Sequence, residues 1–295
     1  MIIIDVNQIL IGSIMTQLSM SKATEVMPHF ENEIRHLACN TLRAYNVKYR
    51  KKYGKMILSN DSKGATWRKD IFPYYKAKRK ANKKKAKINW QSLYDMIDKV
   101  KGEIHENFPY PFLEMPGAES DDIIGVLTSK FAGTEPIMII SSDHDFLQLQ
   151  KHKGVKQFSP LTKKFVTPKT ASAQIDLIVK LFEGDSGDGI PNALSEDNVF
   201  VTEGKRQKSI FKKKLNEWVE TIQLGGDLDD PVLENGYRRN QRLIDLSYTP
   251  EPLVSSILYN FVEEIDRAQK FDQSKVYEYL KEHRMRLLMD CLGEF

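Results

Sequence analysis

Short apolar runs and helical stripes alternate along the first half of the chain. Residues 1–4, Met1-Ile2-Ile3-Ile4, read as a buried strand, and residues 29–45 space Phe30, Ile34, Leu37, Leu42 and Tyr45 along one helix face. Met56-Ile57-Leu58 reads as a second strand. Trp90, Leu93, Tyr94, Ile97, Val100 and Ile104 return to helical spacing, and Pro111-Phe112-Leu113 reads as a third strand. Residues 119–131 predict a buried helix, Ile137-Met138-Ile139-Ile140 a strand, and residues 146–149 a short helix. Val155–Phe158 and Phe165-Val166 predict a small hairpin. This alternation predicts an α/β fold with a parallel sheet over residues 1–170. Beyond it the strand signal stops. Residues 171–182, 206–222, 252–267 and 274–291 read as helices, and 225–236, with Gly225-Gly226 and Pro231, as a loop. The expected division is therefore a core over 1–170 and a mainly helical region over 171–295. The terminal Leu292–Phe295 reads as a frayed end.

Composition narrows the class. The 295 residues are 41% hydrophobic and 28% charged, which suits a packed globular protein. No apolar run reaches the roughly 18 residues of a membrane span. Two cysteines, Cys39 and Cys291, argue against a disulfide framework or a Cys/His zinc site, and for a reducing cytoplasm. The net charge is only +4, but residues 67–87 hold ten basic side chains and one acid, so the remainder is acidic. This block, with Lys76, Lys78, Arg79, Lys80, Lys83, Lys84, Lys85 and Lys87, either solvates a loop or meets a polyanion. Self-repulsion predicts poor order for it without nucleic acid.

Acids stand where the strands end. Asp5 follows the first strand, Asp61 the second, and Asp143 and Asp145 the strand at 137–140. Ligands of parallel α/β sheets bind at the carboxyl ends of strands. Glu119, Asp121 and Asp122 open a buried helix, and Asp185 and Asp188 occupy a glycine-rich turn. Nine converging carboxylates persist only with cations or protons. Oxygen donors without His or Cys favour two Mg²⁺ ions, with Mn²⁺ as substitute, as in phosphodiester hydrolysis. His144 sits among the acids but is turned away by alternation. Singly, each acid reads equally well as a turn or cap residue; the signal is their combination with the basic block.

Six motifs in chain order resemble the flap endonuclease and 5′-nuclease family, including its bacteriophage branch. They are Ile4-Asp5; Asp61 with Trp67-Arg68; Tyr75-Lys76-x-x-Arg79; Ala118-Glu119-x-Asp121-Asp122; Ser141-Ser142-Asp143-x-Asp145; and Gly184-Asp185-x-x-Asp188-Gly189-Ile190-Pro191. The resemblance covers roughly residues 1–192. It implies a 5′-to-3′ exonuclease and flap endonuclease with ribonuclease H activity, built as a nuclease core with a basic helical arch over 68–88. Such an enzyme removes RNA primers and short 5′ DNA stretches during replication.

By the same resemblance, Asp5, Asp61, Glu119, Asp121 and Asp143 would surround one metal ion. Asp145, Asp185 and Asp188 would serve a second, and Asp122 would pair with a base such as Arg68. From their chemistry, Lys76 and Arg79 could add positive charge at the scissile phosphate, and Tyr75 could either stack on an unpaired base or pack in the core beside Phe72 and Tyr74. Arg68, Lys78, Lys83, Lys84 and Lys85 would contact nucleic acid. The family's glycine-rich helical hairpin is replaced here by Asn192-Ala193-Leu194-Ser195. Duplex contacts would fall instead to Lys205, Arg206, Lys208, Lys212, Lys213 and Lys214, which read equally well as a solvated helix face. The implied partners are branched or flapped DNA, RNA–DNA hybrid, a single-strand-binding protein and a sliding clamp, for a monomer with no membrane role. The rival classes are a non-catalytic flap-binding protein, an RNA-processing metal nuclease, and a phosphatase. Asp5-Val6-Asn7 lacks the Asp-x-Asp usual of the last.

Overall fold

The computed structural model describes residues 1–27, 30–79 and 88–295. Lys80, Lys83, Lys84, Lys85 and Lys87, and with them the expectation of an arch, lie outside the described residues.

Strand β1 (Ile2–Asp5) runs directly into helix α1 (Val6–Ser21), and α2 (Glu31–Tyr53) leads to β2 (Met56–Ser59). After α3 (Trp67–Ile71) come α4 (Trp90–Asn107), β3 (Phe112–Leu113), α5 (Ser120–Phe131) and β4 (Ile137–Ile140). A 3₁₀ segment (His144–Lys151) precedes β5 (Val155–Ser159) and β6 (Lys164–Val166). Six helices complete the chain: α6 (Ala173–Glu183), α7 (Lys212–Gln223), α8 (Pro231–Ile244), α9 (Glu251–Gln269), α10 (Ser274–Glu282) and α11 (Arg286–Met289).

The strands form one sheet in the order β3-β2-β1-β4-β5-β6. All pairs are parallel except β5 with β6. The order grows leftward from β1 to β3, then resumes on the other side of β1 with β4. The switch point therefore lies between β1 and β4, where a crevice opens beyond the strand ends.

Side-chain alternation splits the sheet between two cores. Ile2, Ile4, Met56, Leu58, Met138 and Ile140 face α1, α2, α4 and α10. Ile3, Ile57, Ile137 and Ile139 face α5, the 3₁₀ segment and α9. Both faces being covered explains the continuous apolar runs. A third core joins Phe72 and Tyr75 to α6, α7 and α8. Gly125 on α5 leaves room for Leu246, whose side chain would lie 3.0 Å from an added Cβ.

Four sequence expectations are corrected. Residues 206–211 are not helical, and α7 begins only at Lys212. The expected loop at 225–236 contains the start of α8: Asp230 caps it, accepting from Val232 N at 2.8 Å, and Pro231 takes the first helical position. The expected helix at 274–291 is broken near Arg284, whose φ is +56°. The chain end is docked rather than frayed. Asn46 Nδ2 donates to Glu294 O at 2.9 Å, Arg43 pairs with the Glu294 carboxylate, and the Phe295 ring lies 5.3 Å from Phe108.

Helix α8 straps down the segment after the Gly-Asp turn. The buried Asn240 donates to Leu181 O at 2.8 Å and Pro191 O at 2.9 Å. Arg239 reaches the carbonyls of Pro191, Asn192 and Ser195. The backbones meet so closely that a Cβ at Gly236 would lie 1.9 Å from the Ala193 carbonyl oxygen.

Candidate active site

Asp5 ends β1 and caps α1, accepting from Gln8 N at 3.3 Å. In the first turn of that helix, Asn7 Nδ2 donates to Asp61 Oδ2 at 3.1 Å. Asp61 Oδ1 accepts from Ser120 N at 2.8 Å, so the loop after β2 is tied to the start of α5. Ser59 Oγ donates to Ile4 O at 3.1 Å and meets Ser120 Oγ at 2.7 Å, pinning β1, β2 and α5 at one level. Asp143 follows β4 and caps the 3₁₀ segment by accepting from Asp145 N at 2.9 Å. Gln157 on β5 fixes that loop from behind, donating to Ser141 O at 2.9 Å and Asp143 O at 2.5 Å. Asp185 and Asp188 sit on a turn closed by two backbone bonds between Asp185 and Ile190, at 2.8 and 2.7 Å. Gly184, at φ +74°, starts this turn, with the Ile190 oxygen 2.5 Å from where a Cβ would stand. Only glycine fits there.

The acids perturb one another. Burial, then Asp61 and Asp143, push the Asp5 carboxyl up to about 7. Burial, with Asp143, Asp145 and Glu119, raises Asp121 well above the ordinary carboxylate range, with Lys76 opposing. Burial pushes Asp145 up to about 6, with Asp143 and Asp185 adding to it and Lys180 opposing. Asp185 goes the other way: burial disfavours its charge, but Lys180 and the amides of Asp188 and Gly187 more than offset that.

Among the described residues, no three acidic, His or Cys side chains close on one point tightly enough to enclose an ion. The donor chemistry nonetheless fits hard divalent cations. Every candidate ligand is a carboxylate, and Asp5 and Asp121, raised by burial first and neighbouring acids second, are groups whose charged form a cation would stabilise.

Several expected residues are differently placed. Arg68 is not on a nucleic-acid surface. It is buried, with Nε donating to Leu243 O at 2.9 Å and the guanidinium gripping Asp122 at 2.9 and 3.0 Å. Asp122 is fully enclosed and also accepts from Trp67 Nε1, Thr249 Oγ1 and Glu119 N, so it is a structural anchor. Tyr75 does not offer its ring to a base. It is 3% exposed, with its hydroxyl 2.7 Å from Glu119 Oε2 and 3.0 Å from Asp188 Oδ2. Glu119 also receives Lys76 and, at 3.3 Å, Arg68, so both its oxygens are engaged. Lys76 stands at φ +55°, a costly conformation for a lysine. That turn lets its amide donate to Asp188 O at 2.7 Å while its ammonium reaches Glu119. Arg79 pairs with Asp188 at 2.5 Å. The exposed Lys78 lies over the Phe200 ring at 4.4 Å. Lys205 is held by Glu196 at 2.6 Å, while Arg206, Lys208, Lys212 and Lys213 are exposed. Lys214 pairs with Glu217 at 2.9 Å.

Sequence reading missed Lys180. Its ammonium bridges Asp145 and Asp185, 2.8 Å from the latter. The only signal was a lone basic residue in the last turn of α6, one turn before Gly184-Asp185.

The fold agrees with what comparison shows. The profile of the 5′-3′ exonuclease N-terminal resolvase-like domain matches residues 2–176, and that of the T4 RNase H C-terminal domain matches residues 171–295. The chain belongs to the 5′-3′ exonuclease family and is a nuclease, a hydrolase of nucleic acid. Within that family it is similar to the Ribonuclease H of Enterobacteria phage T4, with 32% identity over 292 residues, 95% of this chain and 93% of the relative. It is 30% identical over 154 residues to a 5′-3′ exonuclease of Buchnera aphidicola subsp. Schizaphis graminum, half of each chain. Its fold matches a bacteriophage T5 flap endonuclease solved with DNA and metal ions, with a TM-score of 0.64 at 16% identity, covering 90% of this chain and 98% of that one. No helix among the described residues is long and apolar enough to cross a membrane.

Proposed function

We propose that this nuclease is Mg²⁺-dependent, works from 5′ to 3′, and removes RNA primers and short 5′ DNA flaps in replication, leaving 5′-phosphate and 3′-hydroxyl ends. The observation that carries this reading is the gathering of Asp5, Asp61, Asp121 and Asp143 at one sheet edge, with Asp5 and Asp121 driven above the ordinary carboxylate range. The likeness to the T4 Ribonuclease H supports the choice of substrate. Its substrates are flapped or branched DNA and RNA–DNA hybrid, met in the cytoplasm of an infected bacterium.

Asp5, Asp61, Asp121 and Asp143 would hold the first ion, and Asp145, Asp185 and Asp188 the second. Divalent ions held there neutralise an anionic phosphodiester and lower the pKa of water. The chain's own residues do the rest. Asn7 and the Ser120 amide orient Asp61, and Gln157 holds the Asp143 loop against the sheet. Lys76 and Arg79 bring positive charge to the rim of the acids, where Arg79 can grip a phosphate with two parallel donors.

A labelled 5′-flap substrate tests this. Cleavage is expected with Mg²⁺, absent with chelator, and restored by Mn²⁺. Cleavage indifferent to chelator, or none with any divalent ion, overturns the reading.

A further inference from the structure

Lys180 spans two candidate ligands of the second site that come from different elements. Asp145 belongs to the 3₁₀ segment after β4, and Asp185 to the turn after α6. Lys180 lies on α6 with three-quarters of its side chain covered. The ammonium lies between the two carboxylates and offsets their mutual repulsion.

Sharing the same oxygens would bring both cations close together. An ion coordinated at about 2.1 Å by the Asp185 oxygen that Lys180 holds at 2.8 Å would lie no more than about 5 Å from the ammonium. At that separation a +2 ion and a +1 ammonium repel strongly in a partly buried crevice. Lys180 has somewhere else to go. A cavity of about 330 Å³ beside Asp145 is lined by Lys180, Asp176 and Glu183. Asp176 precedes Lys180 by four residues and Glu183 follows it by three, so both lie on its face of α6.

We propose that Lys180 is a tethered counter-ion of the Asp145–Asp185 pair, which a divalent ion must displace into the neighbouring cavity before it can occupy that half of the site. Lys180 keeps the two acids together in the metal-free protein and lowers the apparent affinity of the weaker site. It is a positioning residue with no contact to reacting atoms. The inference rests on the proposed metal-dependent reading.

The test is Mn²⁺ binding, followed by electron paramagnetic resonance and calorimetry on the full chain without nucleic acid. Wild type is expected to show a tighter and a weaker class of site. Lys180→Met should tighten the weaker class about tenfold and leave the tighter class unchanged. Lys180→Gln gives the same reading should the Met variant fold poorly. Lys180→Arg, which keeps the charge, should retain wild-type weakness. Unchanged or weaker Mn²⁺ binding at the weaker class in both neutral variants overturns the displacement while leaving the metal reading intact. A wild-type protein that binds no Mn²⁺ at millimolar concentration overturns both.

Discussion

The two ends of the acidic crevice solve the same electrostatic problem differently. At the end formed by Asp5, Asp61, Asp121 and Asp143, no basic side chain among the described residues makes an ion pair with any of the four. Their partners are backbone amides and the Asn7 amide group, and Asp5 and Asp121 are pushed up toward protonation. At the other end each acid has a resident cation: Lys180 for Asp145 and Asp185, Arg79 for Asp188, Lys76 and Arg68 for Glu119. Like charges with nothing between them call for an external ion, whereas paired ones are partly offset, although burial still holds Asp145 up to about 6. The unpaired end is therefore where a divalent ion gains most, and the paired end is where binding is an exchange.

The sharpest way to break that contrast lies at the unpaired end. Asp121→Asn and Asp143→Asn are each expected to cost about 10⁴-fold in single-turnover cleavage. Flap binding by gel shift should stay equal or tighten, since a negative charge facing phosphate is gone. Full activity in either variant would remove that end from the chemistry.

Beneath the paired end, Asp122 is expected to matter for folding instead. Asp122→Asn leaves the buried Arg68 without its carboxylate and should lower stability by about 3 kcal/mol or more in denaturant titration. An unchanged midpoint would show that Arg68 finds enough in Glu119 and the Leu243 carbonyl.

Asp188→Asn should be milder. A loss of about 10–100-fold in turnover, partly recovered by raised Mn²⁺, is expected where an acid supports a weaker, shared ion. A loss as deep as that of Asp143→Asn, with no recovery, would erase the difference between the two ends.

The smallest effect concerns pH in chelator. Asp5, with its carboxyl pushed up to about 7, binds a proton in the fold that the unfolded chain has lost above about pH 4. Its contribution therefore favours the fold at low pH and is lost as pH rises toward 7. Melting temperature in chelator should fall between pH 5 and pH 8, and saturating Mg²⁺ should flatten the slope. Asp5→Asn should flatten it without metal.

What the sequence disclosed follows from how local each signal is. Strands β1, β2 and β4 were legible because parallel strands covered on both faces are unbroken apolar runs, and the acids were legible because they sit next to those runs. Asp122 and Arg68 were paired correctly from motif resemblance. Helix α1 escaped notice because Ile11, Met15 and Met20 are exposed and blur its buried stripe of Ile9, Leu10, Ile14 and Leu18. Helix α8 was hidden by Pro231, which looks like a breaker yet is well suited to a first helical turn. Tyr75 was misread because an aromatic beside basic residues looks the same in sequence whether it faces solvent or the Glu119 carboxylate. Lys180 could not be found by pattern at all: its meaning depends on Asp145, 35 residues earlier and on another element.

Gly236 has no side chain that could bind, donate or react, and it lies on a helix remote in sequence from every acid of the crevice. Yet the first atom of any side chain there would collide with Ala193, in the segment that continues directly from the turn holding Asp185 and Asp188. In a genetic screen for inactive nuclease, this position would score alongside the carboxylates while every contact map of the chemistry left it out. Selection on the acids thus extends, through one missing methyl group, to a residue whose only duty is to be small.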